Sequence, residues 1–292
     1  QTCALPISAA SPVPQPGPPR PREVVVLGGA GMIGRRCVEL LLAQGRPVTL
    51  LVRRPALLPP SLRVPQIRCF VGDAADPAVL ARVCAGADAV LHLATAAGED
   101  PTQVEQSMAA AVRAAADAAR GANVRRLVYV SSTAALWLGD RAPVTGAQGP
   151  DPQPRTRAAY ARGKIAAELE LQRQRAQGHA ITVVRPAIVL APGSSPAHSG
   201  VGLWSRDNQC VGWNRGTNPL PLVLAQDCAA ALVQALDAPA AANRAYNLAG
   251  PVRPTARDYV QVLRARTGRD YHLDRKSTRL NSSHSSVSRM PS

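Results

Sequence analysis

The sequence predicts an α/β fold: a doubly wound parallel sheet followed by a small C-terminal substrate lobe. Three observations carry this. Short runs rich in Val, Leu and Ile alternate with longer Ala/Leu/Arg stretches of helical character, a glycine cluster follows the first run, and runs such as VVVL are apolar at successive positions. Strand then helix, repeated, means parallel strands joined by right-handed crossovers. Unbroken apolar runs fit strands buried on both faces, whereas a half-exposed strand alternates.

In order, strands are expected at 23–29, 47–52, 67–72, 89–94, 126–132 and 180–186, with helices near 32–44, 77–85, 101–121 and 157–177. After residue 190 the pattern loosens into a Gly/Ser/Trp-rich loop over 191–219. A strand PLPLVLA, a helix opened by Asp227 and a last strand AYNLAG follow, with the last strands returning to the sheet. The nucleotide-binding domain is thus placed at 22–190 and the substrate lobe, shortened, at 191–273. Residues 9–21 are proline-dense and read as an extended linker. The head QTCALPI and the tail DRKSTRLNSSH back-translate to strings that resemble sequencing adapters, so residues 1–8 and 274–292 are expected to be translated artefact, with the natural termini missing.

The formal charge is +15, part of it in the tail, where Arg275, Lys276, Arg279 and Arg289 stand against Asp274. The remaining arginines are scattered, and at 3% aromatic residues there is little to stack bases, so nucleic acid is excluded as a partner. Apolar residues make up 46% of the chain without a run long enough to span a bilayer, so a cytoplasmic globular protein is expected, with no membrane partner. Cys37, Cys69, Cys84, Cys210 and Cys228 show neither zinc spacing nor a disulfide framework, and no metal is expected. His92, after the apolar VL of a strand, reads as structural. A homodimer is compatible with this reading.

GGAGMIG follows the first strand and opens a helix, the context that a phosphate-cradling turn requires. Its spacing allows Gly28, Gly31 and Gly34 (GxxGxxG) or Gly29, Gly31 and Gly34 (GxGxxG). The sharper signal is Tyr160-Ala-Arg-Gly-Lys164: four residues apart on a helix, phenol and ammonium share one face and can act on one site. Lys164 is the only lysine outside the tail. A neighbouring ammonium is expected to lower the phenol pKa toward that of a working acid–base group.

In these residues and their order, the chain from Val24 to about Gly250 resembles the extended short-chain dehydrogenase/reductase superfamily, in the NAD-dependent epimerase/dehydratase group. The matching stations are GGAGMIG, GDAAD (72–76), HLA (92–94), VYVSST (128–133), YARGK with Glu168 after it, VRPAIVLAPG (184–193), LVLAQDCAAAL (222–232) and YNLAG (246–250). The resemblance implies a Rossmann-like sheet in which Gly28, Gly31, Met32, Ile33 and Gly34 hold the pyrophosphate of a dinucleotide. It places Asp73 and Ala74 at the adenine, and Leu93, Ala94 and Thr95 along the ribose and diphosphate. Lys164 would bond the nicotinamide ribose and Pro186 would wall the nicotinamide. Catalysis would fall to Tyr160 and Lys164 with Thr133, or Ser132 in its stead. Trp137 stands where the family usually has Tyr.

Three departures matter. Thr133-Ala134-Ala135 replaces the Thr-Asp-Glu triplet of nucleotide-sugar dehydratases, so dehydration is disfavoured. SMAAAV (107–112) replaces the helix signature with Asn and Gly-Thr, and the C-terminal lobe is short. The second strand ends Leu51-Val52-Arg53-Arg54, with Val52 where NAD-selective folds carry an acid, so NADP is expected over NAD, with Arg53 and Arg54 as donors to its 2′-phosphate. The expected function is hydride transfer at a secondary alcohol or ketone, with a nucleotide sugar as first substrate. Arg206 and Arg215 would then contact phosphate, with Trp204 or Trp213 as packing walls. A reductase of a small hydrophobic ketone, like dihydroflavonol reductases or hydroxysteroid dehydrogenases, and a non-catalytic NAD(P)-binding protein are the alternatives.

Overall fold

In the computed structural model, which describes residues 22–136, 144–205 and 208–274, the first apolar run forms β1 (Val24–Leu27) and the glycine turn leads into α1 (Met32–Ala43). There follow β2 (Val48–Val52), β3 (Ile67–Val71), α2 (Pro77–Cys84), β4 (Ala89–His92), α3 (Pro101–Gly121) and β5 (Arg126–Val130). After these come α4 (Ala159–Ala176), β6 (Ile181–Pro186), β7 (Ile188–Leu190), β8 (Gly202–Trp204), β9 (Gln209–Gly212) and β10 (Leu222–Leu224). The described chain closes with α5 (Ala225–Asp237), β11 (Ala245–Leu248), α6 (Ala256–Thr267) and β12 (His272–Asp274).

Among the described residues, seven parallel strands lie in the order β11-β6-β5-β4-β1-β2-β3. The chain starts mid-sheet at β1, winds out to β3, crosses back to β4 and winds out the other way. The connections leaving β1 and β4 therefore diverge, and the crevice between them is where such sheets bind ligands. Burial explains the unbroken VVVL: Val24 and Val26 enter the core under α1 and α5, Val25 and Leu27 the core under α2, α3 and α4. All four are fully buried, each contributing roughly 1.5–3 kcal/mol.

Helix starts differ in a way that bears on function. Asp76 and Asp100 cap α2 and α3, accepting from Ala78 N and Val79 N and from Thr102 N, with Pro77 and Pro101 following. By contrast, Gly31 precedes α1 with no side-chain cap and no acid in the first turn.

The second region differs from the sequence-based expectation. The stretch 191–219 is not simply a loop, because β8 and β9 form an antiparallel hairpin and β12 runs parallel to β9. Glycine hid this: a Cβ on Gly202 would lie 2.5 Å from Val211 O, so close pairing here excludes the β-branched residues that signal strands. β12 also carries the pairing as far as Asp274, opposite Val211. Helix α5 opens at Ala225, and Asp227 sits inside its first turn rather than capping it. Helix α6, not expected, has a capping box between Thr255 and Asp258 and ends on Gly268 at φ 65°. A small core of Ile188, Val201, Cys210, Leu220, Val260 and Tyr271 holds this region, while α5 and β11 pack into the main sheet.

Candidate active site

The turn after β1 is shaped by backbone sterics. Gly28 has φ +86°, and a Cβ there would sit 2.7 Å from Ala94 N, so the loops after β1 and β4 touch. A Cβ on Gly34 would collide with Gly28 O, whereas one on Gly31 would meet only that same oxygen at 3.4 Å. Gly28 and Gly34 therefore fix the turn, and Gly31 leaves open space over it. Gly29 instead packs beneath Leu50, which selects the GxxGxxG spacing. The first N–H groups of α1, on Met32, Ile33 and Gly34, have no intrahelical acceptor and face no capping side chain.

Two cavities meet at this turn, with Gly28 and Thr95 lining both. One, of about 900 Å³, is walled by Arg53, Arg54, Asp73, Ala74 and Ala94. The other, of about 1150 Å³, is walled by Gly31, Met32, Ile33, Gly34 and Leu93 on one side and Thr133, Tyr160, Lys164 and Pro186 on the other. Every residue named for the cofactor from the sequence thus lines one connected cleft. The cleft fits a dinucleotide: an uncapped helix start suits a pyrophosphate, and two exposed arginines with no ion pair among the described residues follow β2.

The chemistry-bearing side chains converge from β5 and α4. Lys164 is fully buried, its Nζ donating to Val130 O at 2.7 Å and lying 3.3 Å from Tyr129 Oη. Burial pulls its pKa down to about 7, opposed by the Glu168 carboxylate. Nζ lies 5.8 Å from the centroid of the Tyr160 ring. The expected lowering of the Tyr160 phenol by Lys164 is not what this arrangement gives: burial raises it, and a hydrogen bond with Ser132 opposes the rise. Ser132, the second-choice hydroxyl, is thus the one engaged with Tyr160, while Thr133 lines the same cavity one residue on.

Beneath Lys164 lies a network that the sequence reading missed. Arg185 Nη2 and Nε grip Glu168 at 2.6 and 2.9 Å, and Ser131 Oγ donates to the same carboxylate. Arg185 also donates to Gln148 O at 2.9 Å, tying the 144–150 segment to β6. The one available signal was Glu168 at i+4 from Lys164, on the same helix face. His92 is buried against Tyr129, its direct cross-strand partner, and both ring nitrogens lack partners among the described residues. Burial holds its pKa near 3, reinforced by Lys164. Gly163 permits this packing, because a Cβ there would meet Met108 Sδ at 2.5 Å. Met108 of the 107–112 stretch thus packs against α4, while Ser107, Ala110 and Ala111 line the cavity of about 900 Å³.

The substrate-side expectations fare differently. Trp204 and Trp213 direct their indole N–H groups to loop carbonyls and do not line the cleft. Arg215 also lies outside its wall, in a left-handed turn at φ 61°. Arg206 and Trp137 fall outside the described residues. Arg157 and Arg253 line the cleft instead. Arg157 is bound to the buried Asp151 at 2.7 Å and to the carbonyls of Leu136 and Ala134.

A doubly wound sheet, a glycine turn over an uncapped helix and a Tyr/Lys pair on the crevice define an extended short-chain dehydrogenase/reductase. The chain belongs to the NAD dependent epimerase/dehydratase family, which matches residues 24–249, and is an enzyme of that family. It is 29% identical over 86% of its length to (4-alkanoyl-5-oxo-2,5-dihydrofuran-3-yl)methyl phosphate reductase of Streptomyces griseus, covering 76% of that protein. It is also 29% identical to cinnamoyl-CoA reductase 1 of Petunia hybrida over 58% of this chain, a match spanning 55% of that enzyme. Among solved structures, UDP-glucose 4-epimerase of Thermus thermophilus in complex with NAD shares the fold, at TM-score 0.67 and 22% identity, covering 89% and 88% of the two chains. No helix among the described residues is long and apolar enough to cross a membrane.

Proposed function

We propose that this enzyme is an NADP-dependent reductase of a ketone or aldehyde on a small, largely apolar substrate. The carrying observation is the lining of the cavity that holds Tyr160: Leu136, Val144, Ile188, Val189 and Leu248 give it a large apolar share, and its described arginine nearest in sequence to Tyr160, Arg157, is already held by Asp151. A diphosphate sugar would need several free cationic donors there. Both relatives named above are reductases by name, which supports the same reading.

The nicotinamide would supply the hydride. Tyr160 would donate its phenolic proton to the carbonyl oxygen as carbon gains hydride, giving the alcohol, and Ser132 or Thr133 would hold that oxygen by hydrogen bonding. Lys164, buried and fixed on Val130 O, would hold the ribose end of the cofactor, while the Ser132 hydroxyl would steady the charge on Tyr160. Met32, Ile33 and Gly34 would offer N–H groups to the pyrophosphate, with Asp73 and Ala74 at the adenine and Pro186 at the nicotinamide. Arg53 and Arg54, exposed at the end of β2 and unpaired among the described residues, favour a 2′-phosphate.

The test is NADPH oxidation followed by absorbance, with ketones and nucleotide sugars side by side, in wild type and Tyr160→Phe. Ketone reduction is expected, falling on the order of 10²- to 10⁴-fold in the variant while cofactor affinity stays. Near-normal turnover in Tyr160→Phe would remove Tyr160 from the mechanism. Epimerised nucleotide sugar, resolved by chromatography and formed without net NADPH oxidation while ketones are left unreduced, would replace the reductase reading with an epimerase.

A further inference from the structure

The segment 194–200 walls the cleft with an arrangement of its own. Three successive aromatic donors hold its carbonyls: Tyr259 Oη bonds Pro196 O at 3.0 Å, Trp204 Nε1 bonds His198 O at 3.0 Å, and Trp213 Nε1 bonds Ser199 O at 2.7 Å. In a chain with three tryptophans and five tyrosines, committing this many to one short loop fixes its position without filling the cleft. The loop presents His198, whose Nδ1 accepts from Gly200 N–H at 2.9 Å. An acceptor nitrogen carries no proton, so in the neutral ring the proton sits on Nε2, and partial burial favours that neutral ring. His198 therefore offers a fixed donor with no partner among the described residues, in the wall of the cavity that holds Tyr160.

Arg253 lines the same cavity and is exposed, with no ion pair or hydrogen bond to its guanidinium among the described residues. Its backbone is anchored next door, where Pro254 O accepts from Leu220 N at 2.7 Å. Arg157, the other arginine of the wall, is tied to Asp151.

We propose that His198 Nε2–H and Arg253 form an anion-reading subsite, so that the substrate is a carbonyl compound carrying one acidic group, a phosphate monoester or a carboxylate. With Arg157 held by Asp151, the wall offers one free guanidinium and one fixed neutral donor from His198, which match a single acid and not a diphosphate. This rests on the reductase reading and names its substrate class.

The experiment separates the two. Protein saturated with NADP⁺, so that nothing turns over, is titrated calorimetrically with dihydroxyacetone phosphate, acetoacetate and uncharged dihydroxyacetone. The two anions are expected to bind at least about tenfold more tightly than dihydroxyacetone, their order telling phosphate from carboxylate. Arg253→Ala, at an exposed position that leaves the fold intact, is expected to erase that preference. His198→Ala is expected to weaken the anions several-fold, and His198→Gln, whose amide N–H reaches a similar point, to restore part of it. Equal binding of charged and uncharged ketones in wild type, or an unchanged preference in Arg253→Ala, overturns the subsite. The same ligands are then run with NADPH: anion-selective binding without turnover leaves the subsite standing and fells the reductase reading. Reduction of neutral ketones without anion preference does the reverse.

Discussion

The two halves of the cleft are built by different means. The cofactor half is backbone: a left-handed glycine, two glycines at close approach and an uncapped helix start. The substrate half is side chains: a loop hung from two indoles and a phenol, and arginines that are either locked or free. Backbone shape is dictated by which residues lack a Cβ, so it tolerates no substitution at those positions and leaves a mark in sequence. A side-chain scaffold can be assembled from many residue types and degrades one hydrogen bond at a time.

The sharpest break of the cofactor half is therefore Gly34→Ala. The new methyl would collide with Gly28 O and press on the Cα of Gly29 at 2.7 Å, both backbone, so the turn must move off the helix start. Cofactor affinity is expected to fall at least about a hundredfold, by fluorescence titration, because the N–H groups aimed at the pyrophosphate are displaced. Affinity within a few-fold of wild type would show that this turn does not hold the cofactor.

At the seam between the halves, Lys164 ties function to stability. The unfolded chain holds this proton up to about pH 10, whereas the folded protein releases it near 7. Between those values unfolding takes up a proton, so stability rises with pH through the window, and the cost of burying the ammonium is fullest below 7. Lys164→Met removes that cost. The variant is expected to be more stable than wild type at pH 7 by on the order of 1–3 kcal/mol in urea unfolding, the gap narrowing toward pH 10, while cofactor binding weakens. A variant less stable by the same amount at pH 7 and pH 9.5 would show that the hydrogen bond to Val130 O outweighs desolvation.

The same division explains what was legible. The order of β1 to β6 and the glycine turn could be read because VVVL-type runs and glycine spacing report backbone geometry directly. Helix α6 was missed although Thr255, Asp258 and Gly268 mark its ends, because its largely polar sequence carries little apolar periodicity. The β8–β9 hairpin was not legible either, since Gly202 and Gly212 mimic a loop while serving close strand pairing. Nor was the Glu168–Arg185 pair, whose partners meet only after β6 lies beside β5. The orientation of Trp204 and Trp213 away from the cleft depends on carbonyls of a loop with no periodicity at all.

Arg53 sits between the two extremes: a side chain, placed by the backbone end of β2. Exposed in the cavity wall and unpaired among the described residues, it would meet a 2′-phosphate through a partly solvated, charge-assisted contact. Arg53→Ala is expected to weaken NADPH by about tenfold and leave NADH nearly unchanged in equilibrium titrations, a difference of about 1.4 kcal/mol. Equal affinities for both cofactors in wild type would sink the NADP assignment.

The smallest effect is expected where the substrate half hangs from a single bond. Trp213 is 43% exposed, and its Nε1 donates to Ser199 O at 2.7 Å. Trp213→Phe keeps most of the ring area and loses only the donor, so the loss should approach that of one partly solvated hydrogen bond, about 0.5–1.5 kcal/mol. Because Tyr259 and Trp204 still hold Pro196 O and His198 O, the loop is loosened rather than released. KM for the carbonyl substrate is expected to rise a few-fold, with kcat and cofactor affinity nearly unchanged and the melting temperature lowered by only about 2–4 °C. A drop in kcat with constant KM would place this loop on the chemical step instead of on substrate recognition, and the contrast between a backbone-built and a side-chain-built half would then have to be redrawn at Tyr160.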